Sequence, residues 1–179
     1  FTRAISLTKK LLDNLQITFD QWPRVTVTGS KGKGSTDVFL ASILAASGEK
    51  VGLLTSPHPR KFNERIWIYG KSVADEELLQ AAREIAPAVR SLVSTIQPPK
   101  YLGTGGVVLA MAAKIFSKRG ITVLIVEAGR GGEYDESRLI EADVSVITPI
   151  MLKHAEKLGP TIRDIARTKA SITAPKKII

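Results

Sequence analysis

The sequence of 179 residues contains no cysteine and only two histidines. Disulfides and thiolate-bound metals are therefore excluded, and two imidazoles cannot by themselves complete a zinc site. No apolar run approaches the roughly 18 to 20 residues of a membrane span, and the N-terminal stretch lacks the apolar core of a secretory signal. The sequence reads as soluble and cytoplasmic, with no membrane partner. Aromatic residues are also scarce, at 6%. With lysines and arginines spread along the chain rather than clustered, the net charge of +9 does not favour nucleic acid, and phosphate-bearing small ligands explain part of the excess equally well. What is present is ordinary globular composition, 44% hydrophobic and 24% charged, without an internal repeat or a linker. A single domain over residues 1–179 is the simplest reading.

Hydrophobic periodicity alternates between the two regular structures. Residues 4–15 read as a helix, Arg24 to Thr28 as a strand, 33–47 as a helix ending near Gly48, and Val51 to Thr55 as a strand. Leu78, Ala82, Ile85, Val89, Leu92 and Ile96 recur every three or four residues and mark one face of a long helix, in which Pro87 introduces a kink. A helix is expected over Val107 to Phe116, a buried strand over Ile121 to Val126, another strand over Val144 to Thr148, and a helix over Thr161 to Ile172. Strands alternating with helices predict an α/β fold, a mostly parallel sheet flanked by helices.

Between the first strand and the helix after it lies Gly29-Ser30-Lys31-Gly32-Lys33-Gly34-Ser35-Thr36. A glycine-rich turn from a strand into a helix lets several backbone N–H groups converge, and the helix N-terminus adds partial positive charge, so a triphosphate can be cradled there. Lys33 is then placed for the β and γ phosphates, with Ser35 or Thr36 offering a hydroxyl near Mg²⁺. The spacing is a variant of the P-loop. Only two residues separate Gly29 from the Gly32-Lys33 pair, and Gly34 precedes the hydroxyls.

This loop, Thr28 to Ser35, resembles the T-G-T-N-G-K-G-S loop of the folylpolyglutamate synthase and dihydrofolate synthase branch of the Mur ligase superfamily, with Lys31 in place of Asn. Four further segments follow in the family's order: Thr55-Ser56-Pro57-His58 through Asn63-Glu64-Arg65-Ile66, Glu127 to Asp135, Ser145 to Gly159, and Asp164 to Ala170. The resemblance implies a P-loop NTPase-like central domain of the Mur type. It also implies ATP and two Mg²⁺ ions as cofactors, and ligation of an amino acid, L-glutamate, to a carboxylate such as folate or dihydropteroate through an acyl phosphate. On it rest the roles of Ser35, Ser56, Glu127 and His154 as metal ligands, of Lys169 as a carbamylated lysine holding the second ion, and of Lys33, His154 and Lys169 as catalytic residues. Pro57, His58, Asn63, Arg65 and Asp135 are the substrate-binding candidates. The resemblance further implies a longer, monomeric protein with a C-terminal Rossmann-like domain, so the sequence reads as a truncated central domain.

The chain departs from the family in places. Glu133-Tyr134-Asp135-Glu136-Ser137-Arg138 replaces R-x-D-A-T-N, Gly105-Gly106 stands where an F-E pair is usual, and Thr168 replaces a glutamate. A sister ligase with a non-folate acceptor, or a non-catalytic nucleotide-binding module, is the alternative reading.

Overall fold

The computed structural model describes residues 2–131, 135–172 and 177–178. The chain runs β1 (Thr2–Arg3), α1 (Ile5–Asn14), β2 (Arg24–Thr28), α2 (Lys33–Ala46), β3 (Val51–Leu54), a 3-10 turn (Phe62–Arg65), β4 (Ile66–Ile68), β5 (Lys71–Ser72) and α3 (Asp75–Val93). It continues through β6 (Lys100–Tyr101), α4 (Thr104–Arg119), β7 (Val123–Glu127), a second 3-10 turn (Glu136–Ile140), β8 (Val144–Ile147), α5 (Ala155–Leu158), α6 (Ile162–Ala170) and β9 (Lys177–Ile178).

The main sheet has the order β5-β4-β3-β7-β2-β8-β9. Its five strands from β3 to β9 are parallel, and only β4 and β5 run antiparallel at one edge. A second sheet is the short parallel pair β1-β6. Strand β7 enters between β2 and β3, pairing Val27 with Glu127 and Leu54 with Val126. The carboxyl ends of β3, β7 and β2 therefore finish side by side, where open α/β sheets place their ligands.

The two faces of the sheet are unequal. On one side α1, α3 and α4 pack into a large apolar cluster that includes Leu11, Ile85, Phe116, Leu124 and Val126. On the other, α2 covers a smaller patch of Val27, Val51, Leu53, Val123 and Ile125 with Leu40, Ala41 and Leu44. Alternation along the strands decides the sides: Ile125 and Val123 face α2 while Leu124 and Val126 face α4.

The predicted elements differ from the observed ones at their ends. The helix expected over Val107 to Phe116 begins earlier, at Thr104, so that Gly105 and Gly106 lie inside its first turn. A β-carbon at Gly106 would stand 2.7 Å from Thr8 Cγ2, and this close packing of α4 on α1 holds the glycines helical. Strand β7 starts at Val123, two residues after the expected Ile121, and takes in Glu127. Helix α3 contains Pro87 and stops at Val93; Ile96 lies beyond it yet packs on the same cluster.

Candidate active site

Strand β2 ends at Thr28, and the next residue turns sharply. Gly29 has φ +143°, and a β-carbon there would lie 2.8 Å from the carbonyl oxygen of Thr148, so the position accepts only glycine. Ser30 fastens the loop to the segment after β8: its N–H donates to Pro149 O at 3.0 Å, its Oγ donates to Met151 O at 3.2 Å, and Met151 N–H donates to Ser30 Oγ at 3.0 Å. Gly32, at φ +81°, is the N-cap of α2. No acidic side chain occupies the first turn of α2, so its free N–H groups and dipole are left for an anion.

Glu127, at the end of β7, is the centre of the site. Its side chain is only 5% exposed, and Lys33 Nζ, from the start of α2, stands 3.8 Å from Oε1. Oε2 accepts from the backbone N–H of Ser56 at 2.9 Å and from the Thr55 hydroxyl. Ser56 thus meets Glu127 through its main chain. Thr55 was not singled out by its sequence; its place directly after a strand paired with β7 is the signal that points to it.

A second acidic residue was also missed. Asp37 lies on α2 one turn after Lys33, is 0% exposed, and neither carboxylate oxygen has a hydrogen-bond partner. Burial, and then the neighbouring Glu127, pushes its carboxyl up to about 8, while Lys33 pulls the other way. The signal was available: Asp37 continues the stripe of Leu40, Ala41 and Leu44, three, four and seven residues on, that packs against the sheet.

Lys169, from α6, reaches the same loop. It is 2% exposed, and Nζ donates to Gly29 O at 2.9 Å and Arg130 O at 2.7 Å. Burial, with Lys33 nearby, holds its ammonium below the usual lysine range, and Asp135 offsets part of this. A neutral amine still has two hydrogens for those two carbonyls.

The remaining candidates separate. Arg65 Nε donates to His58 Nδ1 at 3.0 Å, and the guanidinium lies 5.4 Å from the Phe62 ring centre. Asn63 Nδ2 donates to Val73 O at 2.9 Å and Asp75 Oδ1 at 2.7 Å, which ties the loop to the start of α3. Asp135 is buried and accepts from Gly131 N, Ser137 N and Ser137 Oγ at 3.0, 3.1 and 2.7 Å, organising the loop around itself. Residues 132–134 of the motif from Glu127 to Asp135 lie outside the described residues. His154 is exposed at the N-cap of α5, with Nδ1 3.9 Å from Glu156. Among the described residues no three His, Asp or Glu side chains form a metal cluster.

Two cavities meet at Glu127, and Thr55 and Ser56 line both with it. The larger, about 690 Å³, is bounded by Gly32, Gly34, Ser35, Pro57 and the apolar Val38, Phe39 and Trp67. The smaller, about 80 Å³, is bounded by Arg65, Gly105, Asp135, Glu136 and Ser137. A β-carbon at Gly105 would stand 3.0 Å from Glu136 Oε2, so the Glu136 side chain fills the space beside that glycine.

The family described as Mur ligase middle domain matches residues 27–178. The chain belongs to this family. This Mur ligase middle domain is 38% identical over 148 residues, 83% of the chain, to a probable bifunctional folylpolyglutamate synthase/dihydropteroate synthase of Halobacterium salinarum. It is 36% identical over 152 residues, 85% of the chain, to the dihydrofolate synthase/folylpolyglutamate synthase of Escherichia coli. It spans only 18% and 34% of those two proteins. Among solved structures, Mycobacterium tuberculosis folylpolyglutamate synthase complexed with ADP superposes with a TM-score of 0.88 at 30% identity, covering all of this chain and 43% of that one. E. coli FolC in complex with DHPP and ADP gives 0.84 at 30% identity, covering 96% and 40%. The mostly parallel sheet with flanking helices is thus the fold of these synthases. No helix among the described residues is long and apolar enough to cross a membrane.

Proposed function

We propose that the chain is the ATP-binding core of an amide-forming ligase, most directly one that adds L-glutamate to folate or dihydropteroate. The observation that carries this reading is the meeting of Lys33 and Glu127, 3.8 Å apart, where the glycine loop joins α2 and β7 ends. The likeness to folate-extending synthases, one solved with ADP and DHPP, supplies the substrate class.

In this reading the acceptor carboxylate attacks the γ-phosphorus of ATP and ADP departs. The amine of the amino acid then attacks the acyl carbon, phosphate leaves, and the amine loses its proton. Two anions must meet in the first step, so the site supplies positive charge and position. Lys33 and the open N–H groups of the loop and of the start of α2, including those of Lys31, Gly34 and Ser35, hold the phosphates, while those of Ser30 and Thr36 are taken by Pro149 O and Gly32 O. Oxygen donors suit Mg²⁺, and Glu127 with Ser35 would hold one ion. Bound there, Mg²⁺ neutralises the charge that develops on the transferring phosphoryl group. His154 and Ser56 would join Glu127 as ligands, and Lys169, once carbamylated, would hold a second ion. Burial favours that modification because it holds Lys169 toward the neutral amine that carbon dioxide requires.

The larger cavity, with its apolar wall, suits the body of an aromatic acceptor, with Pro57 and His58 in the loop beside it; Arg65 and Asp135 border the smaller one. A sister ligase with a different acceptor is favoured by one feature, the Gly105-Gly106 pair with Glu136 beside it. The protein is taken to act in the cytoplasm as a monomer on small molecules, without nucleic acid.

Titration calorimetry tests the nucleotide site. Mg²⁺-dependent ATP binding that disappears in both Lys33→Ala and Glu127→Ala places the loop and Glu127 in one site. Incorporation of labelled glutamate into dihydropteroate or folate by the full-length protein then identifies the acceptor. ATP binding that survives both substitutions sinks the reading.

A further inference from the structure

Glu136 has no part in the reaction set out above, yet it lines the smaller cavity and is only 7% exposed. It opens the 3-10 turn Glu136–Ile140, and its neighbour Asp135 caps that turn. Of these two acids on one wall, Asp135 is committed to the loop. One of its carboxyl oxygens accepts from the Gly131 N–H, and the other accepts from the N–H and the hydroxyl of Ser137.

Glu136 is matched by a gap on α4. The three heavy atoms nearest to a β-carbon at Gly105 would be Oε2, Cδ and Oε1 of Glu136, at 3.0, 3.1 and 3.4 Å. Glycine is unfavourable inside a helix, and Gly105 and Gly106 both lie in the first turn of α4. Thr8 accounts for Gly106; for Gly105 the account is the carboxyl group that lies over it. The wall around that group is apolar, with Val108 and Leu109 from α4 and Leu54 and Val126 from the sheet. The acid therefore stands in a recess that opens at Glu127, with Arg65 at the rim.

We propose that Glu136 is the residue that selects the acceptor, by taking the N–H donors of its head group in the smaller cavity. The inference rests on the reading of the chain as a carboxylate-activating ligase. The acceptor then lies with its carboxylate at the glycine loop and its body along the apolar wall of the larger cavity. Its head group passes Thr55, Ser56 and Glu127, which the two cavities share, into the smaller one. An ionised carboxyl group offers two acceptor oxygens side by side and takes two neighbouring N–H donors at once. The head group that fits is an amino-substituted nitrogen heterocycle with such an edge. One without those donors is rejected, because it leaves the buried acid without them. Gly105 is the other half of the device, since a side chain there pushes the carboxyl group out of its recess.

The test is titration calorimetry on the full-length protein with two probes, dihydropteroate and its 2-desamino analogue, which lacks the amino donor of that edge. Wild type, Glu136→Gln, Glu136→Ala and Gly105→Ala are compared, with ATP affinity and melting temperature measured for each. Wild type should bind dihydropteroate at least about tenfold more tightly than the analogue, and both Glu136 variants should bring that ratio to within about twofold of unity, chiefly by weakening dihydropteroate. Gly105→Ala should lower the ratio in the same direction, and ATP affinity should stay at the wild-type value throughout. A ratio that both Glu136 variants leave unchanged overturns the proposal, as does a wild type that binds the two probes equally. A loss confined to Glu136→Ala and accompanied by a lower melting temperature also overturns it, because the side chain then acts only by packing. A wild type that binds ATP but neither probe overturns the proposal and leaves the nucleotide site standing. A wild type that binds neither ATP nor a probe sinks the ligase reading as well.

Discussion

The glycine loop and the small cavity, which both reach Glu127, are built from different materials. The loop is made by main chain: Gly29 and Gly32 at positive φ, the open N–H groups at the start of α2, and one lysine, Lys33. The small cavity is made by side chains, with Asp135 accepting three hydrogen bonds, Glu136 against Gly105, and Arg65 at the rim. A main-chain cradle depends on few residue types and recurs wherever a phosphate must be held. A side-chain wall can be rebuilt residue by residue. The same contrast separates the segments of this chain that follow the family pattern from those that depart from it.

The largest effect should come from breaking the cradle. Gly29→Ala sets a β-carbon against the Thr148 carbonyl in a left-handed conformation and is expected to cost about 3 kcal/mol or more, read from the denaturant midpoint, with ATP binding lost. Breaking the wall should be costly but separable. Asp135→Ala leaves buried donors at Gly131 and Ser137 without an acceptor, and a loss of about 2–3 kcal/mol is expected with ATP affinity within about twofold of wild type.

Asp37 sharpens the comparison through pH. An unfolded aspartate ionises near 3.9, whereas in the fold its carboxyl ionises at about 8. Between these values the folded state binds the extra proton, so stability in EDTA should fall as pH rises from about 4 to about 8. Asp37→Ala should flatten that fall and gain about 1–3 kcal/mol near pH 8, with little gain near pH 4, as measured by urea unfolding. The smallest effect is expected at Asn63, whose amide ties the loop to α3. Asn63→Ala should cost about 1 kcal/mol and leave ATP binding unchanged; a loss of acceptor affinity without a loss of stability would show instead that Asn63 touches substrate.

How far the sequence was legible follows the same division. Strand β2 and the start of α2 fall where expected, because β-formers, glycines and the helical stripe mark those boundaries locally. Strand β7 was displaced because its apolar run has no periodicity to mark its ends. Short edge strands such as β4 and β5 exist through pairing, which no local pattern announces. In the site, Lys33 stands 3.8 Å from Glu127 and Lys169 bonds the same glycine loop, whereas His154 is exposed beside Glu156. Thr55 and Asp37 escaped notice because their importance comes from β7, more than seventy residues away in the chain.

The bonds from Lys169 to Gly29 and Arg130 have a consequence for the order in which the molecule assembles. They close contacts across 140 and 39 residues. Such closures come late, since the chain entropy of bringing distant segments together must be met first. The glycine loop therefore leaves the ribosome well before Lys169, yet its shape waits for that residue. Nucleotide that binds during synthesis would find the loop finished only after α6 has docked, which makes its arrival a report on folding as well as a step toward catalysis.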